Sequence, residues 1–115
     1  MNDSERIRIS LADARDRLRD AAPKAFIELF KYGDCSVELY APKGTDPQQP
    51  HPQDELYIIA SGSGTFRRNA HVVSFVPGDV LFVPARLPHR FETFTEDFAT
   101  WVVFFGPTGG SKPQS

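Results

Sequence analysis

Disulfide chemistry is missing from this chain. Of its 115 residues only Cys35 is a cysteine, which excludes an internal disulfide framework and is compatible with a reducing cytosol. Also absent is any apolar run near the roughly 20 residues of a membrane span, and no N-terminal stretch resembles a signal peptide. The chain is therefore expected to be cytoplasmic, with no membrane partner. Charge of one sign is scarce as well. Thirteen Lys and Arg stand against fifteen Asp and Glu, a net charge of −2. The basic residues are dispersed, so there is no electrostatic footprint for nucleic acid. Arg6, Arg8, Arg15, Arg17 and Arg19 do crowd the N-terminal part, but acids are interspersed among them, as on a solvated helix face. Histidine is sparse too, at three residues, which makes the spacing of two of them informative.

What is present suits one soluble domain. The composition is 40% hydrophobic and 24% charged, ordinary for a globular chain long enough for one core and too short for two. Ten residues are Phe, most of them in short apolar runs after residue 65. The segment from Ser10 to Ala22 is predicted to be helical. Ser10 can cap it, Asp13 sits in its first turn, Pro23 stops it, and Leu11, Ala14 and Leu18 trace a narrow apolar stripe. From residue 24 the pattern changes to short strands: Ala25–Tyr32, Ser36–Tyr40, Glu55–Ala60, Gly64–Arg68, His71–Val76, Val80–Val83, His89–Thr93 and Phe98–Phe105. Gly, Pro, Asn and Asp turn signals separate them. This spacing predicts an all-β sandwich or barrel with one short N-terminal helix. The chain divides into an arm and helix (1–23), a β domain (24–107) and a flexible tail (108–115).

Two predicted strands, Val80–Val83 and Trp101–Phe105, are apolar on both faces. A small sandwich has one inner face, so each needs a second cover. The helix can supply one and a second copy of the chain the other, so a homodimer is expected.

Candidate site residues gather around Gln49, His51 and Glu55. All three are odd-numbered, so on an extended chain their side chains share a face. A strand running antiparallel nearby would bring His89 to the same face. Two imidazoles, a carboxylate and an amide oxygen around one point form a ligand set for a divalent transition metal. The plainer explanation of each histidine is a turn residue next to proline, and of Gln49 a loop residue. Against it, Glu55 opens an otherwise apolar strand and needs a cation or a partner if it faces inward. Tyr57 shares the face of Glu55 and Phe91 that of His89, so both are expected to line a substrate-binding cavity. Asp54 should point outward into solvent.

The spacing resembles the cupins, small β-barrels of the jelly-roll, double-stranded β-helix type. Their first motif reads roughly G-x5-H-x-H-x3-E-x6-G and their second G-x5-P-x-G-x2-H-x3-N. His51, Glu55 and Gly62 fit the back half of the first, and Gly78, Pro84 and His89 keep the spacing of the second. The resemblance covers residues 24 to 107. Gln49 stands where the first motif has histidine, Arg86 where the second has glycine, and Thr93 where it closes on asparagine. The resemblance implies one bound divalent metal (Zn, Fe, Ni, Mn or Co) held by Gln49, His51, Glu55 and His89. It implies a small-molecule substrate and a reaction among those of dioxygenases, isomerases, decarboxylases and lyases. The residues select none of these, and no catalytic acid–base pair is legible. The alternative is a barrel that binds a small ligand or metal without turnover, a sensor or binding module. A metal-free barrel stabilised by a Glu55–His89 pair is a third.

Overall fold

Short runs of β-branched and aromatic residues, broken by Gly and Pro, dictate the architecture. The computed structural model describes residues 7–47 and 49–112. In chain order the elements are α1 Leu11–Asp20, β1 Phe26–Tyr32, β2 Cys35–Tyr40, β3 Asp54–Ser61, β4 Gly64–Arg68, β5 His71–Phe75, β6 Val80–Val83, β7 His89–Phe94 and β8 Ala99–Phe105. The eight predicted strands are all present, with ends that move by a single residue. Arg6 and residues 113–115 of the tail lie outside the described residues.

The strands form two antiparallel sheets, one of order β1-β2-β8-β3-β6 and one of order β5-β4-β7. They face each other across an aromatic core that includes Tyr57, Phe66, Phe75, Phe91 and Phe98. Each fully buried ring contributes about 2–3 kcal/mol, and Phe91 stacks edge-on or tilted against all four of the others. This is the all-β jelly-roll arrangement expected.

The helix begins where its cap predicts, with Ser10 Oγ accepting from the Asp13 amide at 3.0 Å. Its apolar stripe covers the outer face of the larger sheet. Ala14 is fully buried against Leu29, Leu39, Ala41 and Ala99, and Trp101 packs at the edge of that cluster. So α1 covers the second face of β1, β2 and part of β8, leaving the inner face of β8 to Val102 and Phe104. The outward residues of β6 stay open: Val80 is 59% and Phe82 45% exposed, next to exposed Ile58 on β3. Among the described residues no helix is long and apolar enough to cross a membrane.

Candidate metal centre

The two motif segments are stitched together by main-chain bonds before any ligand is considered. The Arg86 amide donates to the His51 carbonyl at 2.7 Å, and the Ala85 amide donates to Asp54 Oδ1 at 2.8 Å. The other oxygen of Asp54 accepts from the Ser111 amide at 2.9 Å, and Gly109 donates to the Pro52 carbonyl at 2.7 Å. Asp54 is thus buried rather than solvated, because it is the acceptor that two loop amides require. Those amides, Ser111's first, hold its carboxyl below the usual carboxylate range.

Arg86, at the position where the motif has glycine, takes the left-handed conformation with φ 68°. A side chain there costs about 1 kcal/mol. Arg86→Gly is therefore expected to raise stability by about 0.5–1 kcal/mol, less than the full cost because glycine loosens the unfolded chain. Urea unfolding checks it, and a loss of stability would overturn the assignment of strain.

His51 precedes β3 in the Pro50-His51-Pro52 loop, Glu55 is on β3, and His89 opens β7. Because β3 and β7 belong to different sheets, His89 reaches Glu55 across the interior and not from a neighbouring strand, which corrects the same-face expectation. One ligand atom from each of the three residues lies within 4.8 Å of the others. His89 Nδ1 lies 2.8 Å from the Leu87 carbonyl. A carbonyl can only accept, so Nδ1 carries the proton and a neutral ring keeps its lone pair on Nε2. That Nε2 is 2.8 Å from Glu55 Oε1, with the two side chains 0% and 1% exposed. Neither it nor either oxygen of Glu55 has a hydrogen-bond partner among the described residues. Lone pairs facing each other in a dry interior demand a cation, either a proton or a metal ion.

A metal fits with small adjustment. Bonds of about 2.1 Å place ligand atoms about 3.0–4.2 Å apart in tetrahedral or octahedral geometry. The Glu55–His89 contact of 2.8 Å is slightly shorter than that range, and no two of the three ligand atoms lie more than 4.8 Å apart. In the metal-free state His89 is raised above its ordinary value. Burial lowers it, but the Glu55 carboxylate and the Leu87 carbonyl outweigh that. His51 is lowered, chiefly by burial, with the neighbouring His89 adding to it against the pull of Glu55. These directions favour the neutral, coordinating form of His51 and the protonated form of His89.

Gln49 is exposed and lines a cavity of about 560 Å³ together with His51, Glu38, Tyr40, Phe26 and Phe104. Tyr57 and Phe91, by contrast, are fully buried in the aromatic core. The Tyr57 ring centre is 6.0 Å from that of His89 and 4.9 Å from that of Phe91, and neither residue is among those lining this cavity.

Two carboxylates near the site gave no spacing signal. Asp46, in the loop before Gln49, is buried. It accepts from the Tyr40 hydroxyl at 2.5 Å and the Phe91 amide at 2.9 Å, which ties that loop to both sheets. Tyr40 is raised by burial first and by this bond second. Glu38 on β2 pairs with Val102 and turns inward. Burial, then repulsion from Glu28 and Glu55, pushes its carboxyl up to about 7.

A family model described as a cupin domain matches residues 36–105. The chain is 34% identical over 97 residues to an uncharacterized protein of Streptomyces coelicolor, covering 83% of this chain and 92% of that one. It is 33% identical over 70 residues to the dimethylsulfoniopropionate lyase DddQ of Ruegeria pomeroyi, covering 59% of this chain but only 35% of the lyase. A crystal structure of a Rhizobium leguminosarum protein of unknown function superposes with a TM-score of 0.63 at 18% identity, covering 88% of this chain and 97% of that one. That likeness shows the fold alone.

Proposed function

The chain belongs to the cupin domain family, and from that premise we propose that it is a metal-binding small cupin, a metalloenzyme acting on a small oxygen-bearing molecule. The observation that supports this most is the buried Glu55–His89 pair, whose facing nitrogen and oxygens have only each other as neighbours among the described residues and which converges with His51 beside a cavity of substrate size. His51, Glu55 and His89 would hold one divalent transition metal, with Gln49 able to swing in from the cavity wall as a fourth ligand. The donors, two nitrogens and a carboxylate, suit Zn, Fe, Ni, Mn or Co alike.

When bound, such an ion supplies Lewis-acid polarisation of a substrate oxygen. The chain's own part is to orient and exclude water. The Leu87 carbonyl fixes the His89 ring, and the aromatic core, with Tyr57 and Phe91 behind it, keeps the ligands dry. The relationship to a dimethylsulfoniopropionate lyase supports lyase chemistry as one class among those the family offers. Gln49, in place of an imidazole, supports the second reading, a barrel that binds metal or a small ligand without turnover. We further read the protein as a cytoplasmic homodimer. The single cysteine supports the compartment, and the open apolar strip of Ile58, Val80 and Phe82 supports the dimer.

The test is elemental analysis of tag-free protein purified without chelator, beside a His51→Ala/His89→Ala double variant. Near-stoichiometric metal in the wild type and none in the variant is the expected result. Metal absent from a folded wild type, even after incubation with Zn, Ni, Mn or anaerobic Fe(II), would overturn the metalloenzyme reading.

A further inference from the structure

The cavity beside the metal ligands has a charge problem that its own walls do not solve. Its lining includes, among the described residues, the carboxyl of Glu38 but no lysine or arginine. Among the described residues the Glu38 carboxyl has no hydrogen bond and no ion pair, while Glu28 faces it directly across the β1–β2 ladder. Like charges opposite one another in a sheet are destabilising, and Glu55 adds a second repulsion from across β8. The raised carboxyl of Glu38 is the consequence of this setting. A residue so placed is relieved either by taking up a proton or by a cation seated beside it, and a cation in the cavity would favour its charged form.

The surroundings select the kind of cation. Phe26, Tyr40 and Phe104 line the same cavity. The hydroxyl of Tyr40 is already committed to Asp46, so what Tyr40 offers a ligand is its ring. Aromatic faces attract weakly hydrated organic cations, whereas a hard metal ion needs several oxygen donors, and Glu38 is the one carboxylate among the described residues lining this cavity.

We propose that this cavity is the subsite for an alkylated onium group, a substituted ammonium or sulfonium. Glu38 and the three aromatic rings would receive its charge, and a ligand oxygen would extend toward His51. This deepens the reading above by naming a substrate class, and rests on it only in taking the cavity as the substrate cavity. Its recognition is electrostatic at one end and coordinative at the other, so a small cationic alcohol or zwitterion meets both.

The experiment uses the full chain and two probes of nearly identical shape, choline and its uncharged carbon isostere 3,3-dimethylbutan-1-ol. Both are titrated by calorimetry or ligand-observed NMR into wild type, Glu38→Gln and Glu38→Asp, each with and without added metal. Choline should bind the wild type about tenfold or more tighter than the isostere. Glu38→Gln should cut that preference severalfold, leaving the part due to the rings, and Glu38→Asp should cut it less, with metal content unchanged in both. Equal binding of the two probes by wild type, no saturable binding of choline, or a preference undiminished by Glu38→Gln would each overturn the proposal. The metal arms keep the two readings apart. Choline preference without any metal retention sinks the metal centre and leaves the onium subsite standing. Metal retention without choline preference does the reverse.

Discussion

Replacing Glu55 with glutamine is expected to remove most of the thermal stabilisation that added zinc or manganese gives the wild type, while leaving the metal-free protein within about 1 kcal/mol of its original stability. The two halves have different causes. In the wild type a ligand at a thousandfold excess over its dissociation constant adds about 4 kcal/mol, or roughly 15 °C for a chain of this size. Loss of the one carboxylate donor should cost about a hundredfold in affinity and remove about 2.7 kcal/mol of that gain. In the metal-free protein the substitution removes a charge that is 1% exposed. The new amide can donate to His89 Nε2, so a buried ion is exchanged for a satisfied neutral pair. A metal-induced shift in Tm that is the same in both proteins would remove Glu55 from the ligand set.

The pH dependence of that shift has a definite sign. His89 is raised above its ordinary value of 6.5. The stability it contributes to the metal-free protein is therefore full below that value and is lost as pH rises through its folded-state value. The metal must displace the same proton, so apparent affinity climbs about tenfold per pH unit until His89 is neutral. His51, lowered mainly by burial, favours its neutral form and carries the smaller proton cost. As pH rises from about 6.5 through the folded-state value of His89, Tm of the metal-free protein should fall and the metal-induced shift should grow. A shift independent of pH would mean that no imidazole proton is displaced.

The strands were legible because each begins and ends at a residue with its own backbone rule. Ser10 capped its helix for the same reason, since one side-chain oxygen and one orphan amide decide it locally. That His51, Glu55 and His89 form one cluster was legible through spacing, but how they meet was not. Alternation along one strand suggests that His89 arrives from a neighbour, whereas it crosses from the opposite sheet, a relation between strands that no local pattern encodes. Glu38 was hidden by the usual rule that the polar face of a strand looks outward. On β2 the rule inverts, because α1 buries Leu39 on the outer face and leaves Glu38 and Tyr40 to the cavity. Asp46 and Asp54 were hidden for another reason. Their partners are main-chain amides of Phe91, Ala85 and Ser111, and an amide has no sequence identity to recognise.

Glycines show the same divide between local and long-range causes, and they yield the largest expected loss of stability. Gly78 belongs to the second motif and adopts φ +92°, yet an added Cβ there would meet nothing within 4 Å. Gly78→Ala should therefore cost only the left-handed conformation, about 1–2 kcal/mol. Gly64 belongs to no motif, and its constraint is contact. A Cβ on it would lie 1.9 Å from the Thr93 carbonyl oxygen and 2.8 Å from the Phe94 Cα. These are backbone atoms of β7, which β4 pairs at this point, so no rotamer change relieves the overlap. The strand must move by more than an ångström, at a cost of about 3–5 kcal/mol. Because β7 also carries His89, Gly64→Ala should weaken metal retention as well, which Gly78→Ala should not. Urea unfolding of the two variants, with metal content measured on each, ranks them. If Gly78→Ala proves the more damaging, the close approach of β4 to β7 does not govern this part of the fold.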